Sequence, residues 1–142
     1  SQDAEITSIS ELESTMVGAV VGSPLSSPDL QVSGHVQYTA PLSGGNETFW
    51  RVDLSYIDSL TNGFPFTPGQ AGVPSANFGY TDNVTKVDLS LGYVTDKWSA
   101  VLYAENAFDD DGYTFIMPQT FFDDRHMTLR PRTVGIRFTL NK

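Results

Sequence analysis

The chain has 142 residues, 39% of them apolar, which suffices for one ordinary domain and argues against intrinsic disorder. Eight Lys and Arg stand against 17 Asp and Glu, a formal charge of -9. With no basic cluster in the chain, this excludes a nucleic-acid binder that tracks phosphates. Cysteine is absent, which also excludes disulfide frameworks, thiolate metal sites and cysteine nucleophiles.

No run reaches the roughly 18 apolar residues of a membrane helix. The opening SQDAEITSISELE lacks the basic and apolar regions of a signal peptide, as expected of a mature, cytoplasmic or fragmentary chain. Helical periodicity is weak throughout, while Gly, Pro, Ser, Thr and Asn favour strands and turns, so the prediction is all-β.

In chain order, five segments alternate with the period of two that strands impose. Residues 31–40 put Val32, Val36, Tyr38 and Ala40 opposite Gln31, Ser33, His35, Gln37 and Thr39. Residues 48–58 contain WRVDLSYI, with Trp50, Val52, Leu54 and Tyr56 facing away from Arg51, Asp53 and Ser55. Residues 84–95 set Val87, Leu89, Leu91 and Tyr93 against Lys86, Asp88, Ser90 and Gly92. Residues 98–108 alternate less cleanly, and residues 132–140 set Val134, Ile136, Phe138 and Leu140 against Thr133, Gly135, Arg137 and Thr139.

The joins are short, long, short, long. PLSGGNE and the turn at Asp96 and Lys97 read as hairpins, whereas residues 59–83 and 109–131 are long enough to suggest function. In an up-and-down sheet this puts every short turn at one end and every long loop at the other, as in outer-membrane barrels. Strands of about nine to eleven residues span a bilayer when tilted. Tyr38, Trp50, Tyr93 and Trp98 lie near the short-turn ends, as interfacial girdles do. Arg51, Asp53, Lys86, Asp88, Glu105 and Arg137 would then face a hydrated lumen and pair across strands. Soluble antiparallel sheets also have one apolar and one polar face, so alternation alone leaves both readings open.

At the C-terminal end, LYAENAFDDDGY, a loop and then RPRTVGIRFTLNK resemble the last two strands of TonB-dependent outer-membrane receptors. In that family an Asn-apolar-Phe-Asp element precedes a Pro-Arg-Thr-apolar-Gly strand. The matching positions are Asn106, Ala107, Phe108 and Asp109, then Pro131, Arg132, Thr133, Val134 and Gly135. Upstream, GSPLSSPDLQVSGHVQY resembles the family's descent from loop into strand, with Pro24, Leu25, Ser27 and Pro28 in a slightly altered pattern, and DAEITS resembles the extracellular tip of a preceding strand. The likeness covers nearly the whole chain and rests on order and spacing rather than on one motif.

The resemblance implies an antiparallel up-and-down transmembrane β-barrel of about 22 strands, of which some five are present here. The chain would be the C-terminal portion of that barrel, without plug domain or TonB box, with residues 1–30, 58–83 and 109–129 as extracellular loops. It implies a bacterial outer-membrane receptor for active uptake of a scarce nutrient such as an iron-siderophore complex; cobalamin and carbohydrate cargoes fit equally. Its partners would be outer-membrane lipid, a small-molecule substrate such as a metal chelate, and TonB through the missing N-terminal part. One departure concerns the last residue, usually aromatic in the family, where this chain ends Phe138, Thr139, Leu140, Asn141, Lys142. Two other readings stand beside it: a soluble or secreted β-sandwich binding module, and a small porin-like barrel, which needs an even number of strands.

Ligand contacts are expected in the last long loop, at Phe121, Phe122, Asp123, Asp124, Arg125 and His126. The acidic and His residues there could meet a metal chelate, but they lack a recognised ligand spacing and read equally as a solvated loop. Phe115 and Met117 join Phe121 and Phe122 as candidates to grip an apolar ligand or to pack the loop on its neighbours. Asp109, Asp110, Asp111 and Gly112 lack the glutamate of a calcium loop and read as a loop start. No nucleophile context such as GxSxG occurs, so neither an enzyme nor a resident cofactor or metal is predicted.

Overall fold

The computed structural model describes residues 4–76, 78–117 and 125–141. Its elements are α1 (Glu11–Val17), β1 (Gln31–Pro41), β2 (Glu47–Ile57), β3 (Val84–Val94), β4 (Trp98–Glu105), β5 (Tyr113–Met117), β6 (Arg125–Thr128) and β7 (Thr133–Leu140). β1, β2, β3, β4 and β7 form one sheet in that order, and β5 and β6 form a separate two-stranded sheet. The sheet is an open meander with β1 and β7 at its edges, not a closed barrel.

The chain divides into two compact units. A sheet unit comprises Val32–Tyr56, Thr85–Asp111 and Leu129–Lys142; a loop unit comprises Ser1–Gln31, Ile57–Val84 and Gly112–Thr128.

In the sheet unit the alternating segments form strands because branched and aromatic side chains fit a pleated surface. Gly44 and Gly45 adopt positive φ in the join between β1 and β2. The turn from β3 to β4 is held by Thr95, whose N–H donates to the Trp98 carbonyl at 2.9 Å and whose Oγ1 accepts the Trp98 N–H at 3.0 Å. Register runs Leu89, Ala104, Val134 in one row and Leu91, Leu102, Ile136 in the next. Two glycines allow aromatic rings to lie against the backbone of the neighbouring strand. A Cβ on Gly92 would collide with the Phe49 ring, and one on Gly135 with Tyr103, its directly paired residue.

β4 stops at Glu105, short of the expected 108, because Asn106 takes φ 49° and turns the chain out of the ladder.

The loop unit contains α1, a helix absent from the all-strand expectation. At seven residues, α1 is too short for a periodic signal, yet its boundaries are local: Ser10 and Glu13 form a reciprocal capping box, and Gly18 closes it at φ 76°. A Cβ at Gly18 would also strike the Phe66 backbone. Residues 58–83, expected as a structureless loop, close on themselves through backbone bonds. Thr81 and Leu60 exchange N–H bonds through the Leu60 carbonyl and Thr81 Oγ1, both at 2.8 Å, and the Asn62 Oδ1 accepts the Gly79 N–H at 2.7 Å. Small polar groups thus satisfy backbone that has no ladder. The β5–β6 hairpin joins this loop at Asp82, which donates its N–H to the Tyr113 carbonyl and accepts the Tyr113 N–H on its carboxylate at 2.9 Å.

Candidate functional site

On the inner strand β3, beyond the buried Val87, burial runs opposite to polarity. On β3, the central strand, Lys86, Asp88 and Ser90 are half-buried and Gly92 is buried, while Leu89, Leu91 and Tyr93 are exposed. The apolar rows continue onto β7, where Ile136 and Leu140 are 73% and 72% exposed, and onto β1, where Val36 is 62% exposed. Among the described residues, buried hydrophobics are limited to Ala19, Val84 and Val87. The sheet unit has, among the described residues, a single sheet.

Aromatic rings gather at the short-turn end of the apolar face. Tyr38 and Trp50 lie 5.9 Å apart between centroids, and Trp98 lies 5.4 Å from Tyr93 and 5.6 Å from Phe138. Phe138 was not among the expected girdle residues, although register brings it opposite Ala100 and hence diagonal to Trp98, on which it stacks.

The polar face carries ion pairs along strands rather than across them, which corrects the cross-strand expectation. Arg51 meets Asp53 and Lys86 meets Asp88, each at 2.5 Å, because residues two apart in a strand share a face. Arg137 lies over the Tyr103 ring, 5.5 Å from its centroid, and Glu105 faces Arg130 at 3.8 Å. His35 is exposed on the edge strand.

Asn106, in the first motif of the resemblance, is 1% exposed and ties three segments together. Its Nδ2 donates to the carbonyls of Asp110 and Arg130 at 2.9 and 3.0 Å, its Oδ1 accepts the Asp110 N–H, and its own N–H reaches Asp88. The neighbouring aspartates serve the same knot: Asp110 accepts the Thr85 N–H and Asp109 the Arg132 N–H, at 2.8 and 2.7 Å. These carboxylates stabilise chain direction at the β4 end, which explains an acidic run without calcium-loop spacing.

Of the expected ligand contacts, Phe121, Phe122, Asp123 and Asp124 lie outside the described residues. Arg125 and His126 are consecutive on β6 and so point to opposite faces. His126 stacks on Tyr113, with centroids 4.4 Å apart. Arg125 shares the other face with Met117, Phe115 and Met127, since those residues pair across the hairpin. A bulge between Tyr113 and Phe115 puts Tyr113 on the His126 face, which strict alternation would have missed. Among the described residues no group of three potential metal ligands converges.

A second feature escaped the sequence reading. The face of α1 formed by Glu11, Ser14 and Thr15 borders a cleft of about 220 Å³ closed by Val20, Phe66, Gln70 and the following turn. Its walls are tied together: Phe66 N–H donates to the Gly18 carbonyl at 3.0 Å and Gly69 N–H to the Thr15 carbonyl at 2.8 Å. The capping pattern Ser10-x-x-Glu13 was the available signal for the helix; nothing local announces the cleft. Glu13, on the same helix, has its carboxyl held below the ordinary glutamate range by hydrogen bonds from the Ser10 hydroxyl and backbone N–H.

No protein-family model matches the chain, and neither a curated protein nor a solved structure matches it. What the fold defines is therefore a class: a predominantly antiparallel β chain whose sheet turns its apolar side outward.

Proposed function

We propose that this chain is a section of transmembrane β-barrel wall, of the kind found in the C-terminal portion of TonB-dependent outer-membrane receptors. The observation that carries this reading is the reversed burial of the sheet, with Leu91, Leu102 and Ile136 exposed and the opposing polar face more covered. In a bilayer the exposed rows meet acyl chains, and the paired charges meet a hydrated interior. The ring clusters at the short turns suit one membrane interface. The long connections belong, in such barrels, to the outer mouth, where a nutrient such as an iron chelate is captured for uptake energised through TonB. The unpaired edges of β1 and β7 call for further strands, since an open sheet with an apolar face aggregates in water. A soluble sandwich would need a second sheet over Leu91 and Leu102, and among the described residues the sheet unit has none.

Both tryptophans, Trp50 and Trp98, lie on the apolar face near the turns, so intrinsic fluorescence reports on it without any mutation. In vesicles of lipids brominated at defined depths, quenching should be strong near the headgroups and weaker at the bilayer centre. A chain monodisperse without detergent, with no quenching at any depth, sinks the membrane reading.

A further inference from the structure

The charge of this protein is divided unevenly. The sequence segments of the loop unit hold nine of the 17 acidic residues and one of the eight basic ones, Arg125; the sheet unit is nearly neutral. The segments that build the cleft beside α1, Ser1–Gln31 and Ile57–Val84, contain no Lys or Arg at all. Glu11 on the cleft wall therefore has no cationic partner on its own or the facing segment. Among the described residues the side chains of Glu11 and Gln70 make no hydrogen bond, while Ser14 is already engaged with the Ala19 carbonyl at 2.5 Å.

Glu11, Gln70 and Phe66 thus line one small cleft, the first two as exposed residues, set in a unit whose summed field attracts positive charge. Carboxylate and ring together suit an alkylated ammonium, because the ring quadrupole favours a cation and tolerates its methyl groups. The same field repels polyanions. We propose that the cleft formed by Glu11, Thr15, Phe66 and Gln70 binds small organic cations of the quaternary ammonium type. The site lies wholly within the loop unit, so it does not depend on whether the sheet faces lipid.

The test is equilibrium dialysis of the whole chain, folded in detergent micelles, against labelled choline and against 3,3-dimethylbutanol, its neutral isostere. Choline should bind and the isostere should not. Glu11→Gln should weaken choline binding about fivefold by loss of an exposed charge pair. Phe66→Leu should weaken it about threefold by loss of the ring. Asp29→Asn, a charge removal in the same unit outside the cleft wall, should change it far less. Equal binding of choline and isostere overturns the proposal, as does an absence of choline binding. So does an equal effect of Asp29→Asn and Glu11→Gln, which would reduce the attraction to a diffuse field. Tryptophan quenching in the brominated vesicles reports the membrane reading separately.

Discussion

The sheet unit and the loop unit satisfy their backbones by opposite means. In the sheet, ladder bonds take up the peptide groups, which leaves the side chains free to sort by face; one side becomes apolar and exposed, the other polar and paired. In the loop unit, side chains of Thr81, Asn62, Asp82 and Ser23 accept backbone N–H groups directly, and among the described residues the buried positions other than Val84 are small or polar. Among the described residues, neither unit is organised around a packed apolar core. The difference teaches that a sheet wall can be specified by pattern, whereas the loop unit is specified by individual hydrogen bonds.

The sharpest way to break the comparison is to put charge on each face of the sheet. Leu102→Arg, at the middle of the apolar rows, should cost about 2–4 kcal/mol of folding free energy in vesicles, while Ser90→Arg on the opposite face should cost far less. Denaturant titration in lipid measures both, and equal costs would mean that both faces meet the same medium. The knot at the end of β4 comes next. Asn106→Ala leaves the Asp110 and Arg130 carbonyls without their amide donor and should cost about 2–3 kcal/mol in the same titration. A comparable loss from Asn62→Ala would erase the distinction between a knot in the sheet unit and a bond in a loop.

Close packing across glycine gives a smaller effect. Gly92→Ala should cost about 1–2 kcal/mol because the new methyl meets the Phe49 ring, and a double mutant with Phe49→Ala should recover part of that loss. Smallest and most local is the response of α1 to acid. The folded Glu13 carboxyl titrates below its unfolded counterpart, so its contribution to the helix is present above the unfolded value and lost as pH falls through the depressed folded one. Amide exchange at Glu13 should therefore quicken below the ordinary glutamate range, and Ser10→Ala should remove that dependence. The sheet amides of β4 should not follow it.

All five strands of the sheet were legible from alternation, as were the two short turns and the sorting of Leu91 from Ser90 or Ile136 from Arg137. These depend on neighbours one or two residues away, and a strand exposes such relations directly in the chain. The long joins were legible only as long. Their hairpin depends on a bulge that moves Tyr113 to the side of His126, away from Phe115 and Met117. Of the expected contact residues, Phe121, Phe122, Asp123 and Asp124 fall outside the described residues.

Residue identity and local order were enough for the alternation, the predominantly β class and the imbalance of charge. Tertiary structure alone decided that Glu11 lies beside Phe66 and Gln70, that Asn106 gathers Asp88, Asp110 and Arg130, and that Phe138 stacks on Trp98. Each of those contacts joins residues on different elements, where a hydrogen bond or a ring contact is favourable only after the intervening chain has already been ordered.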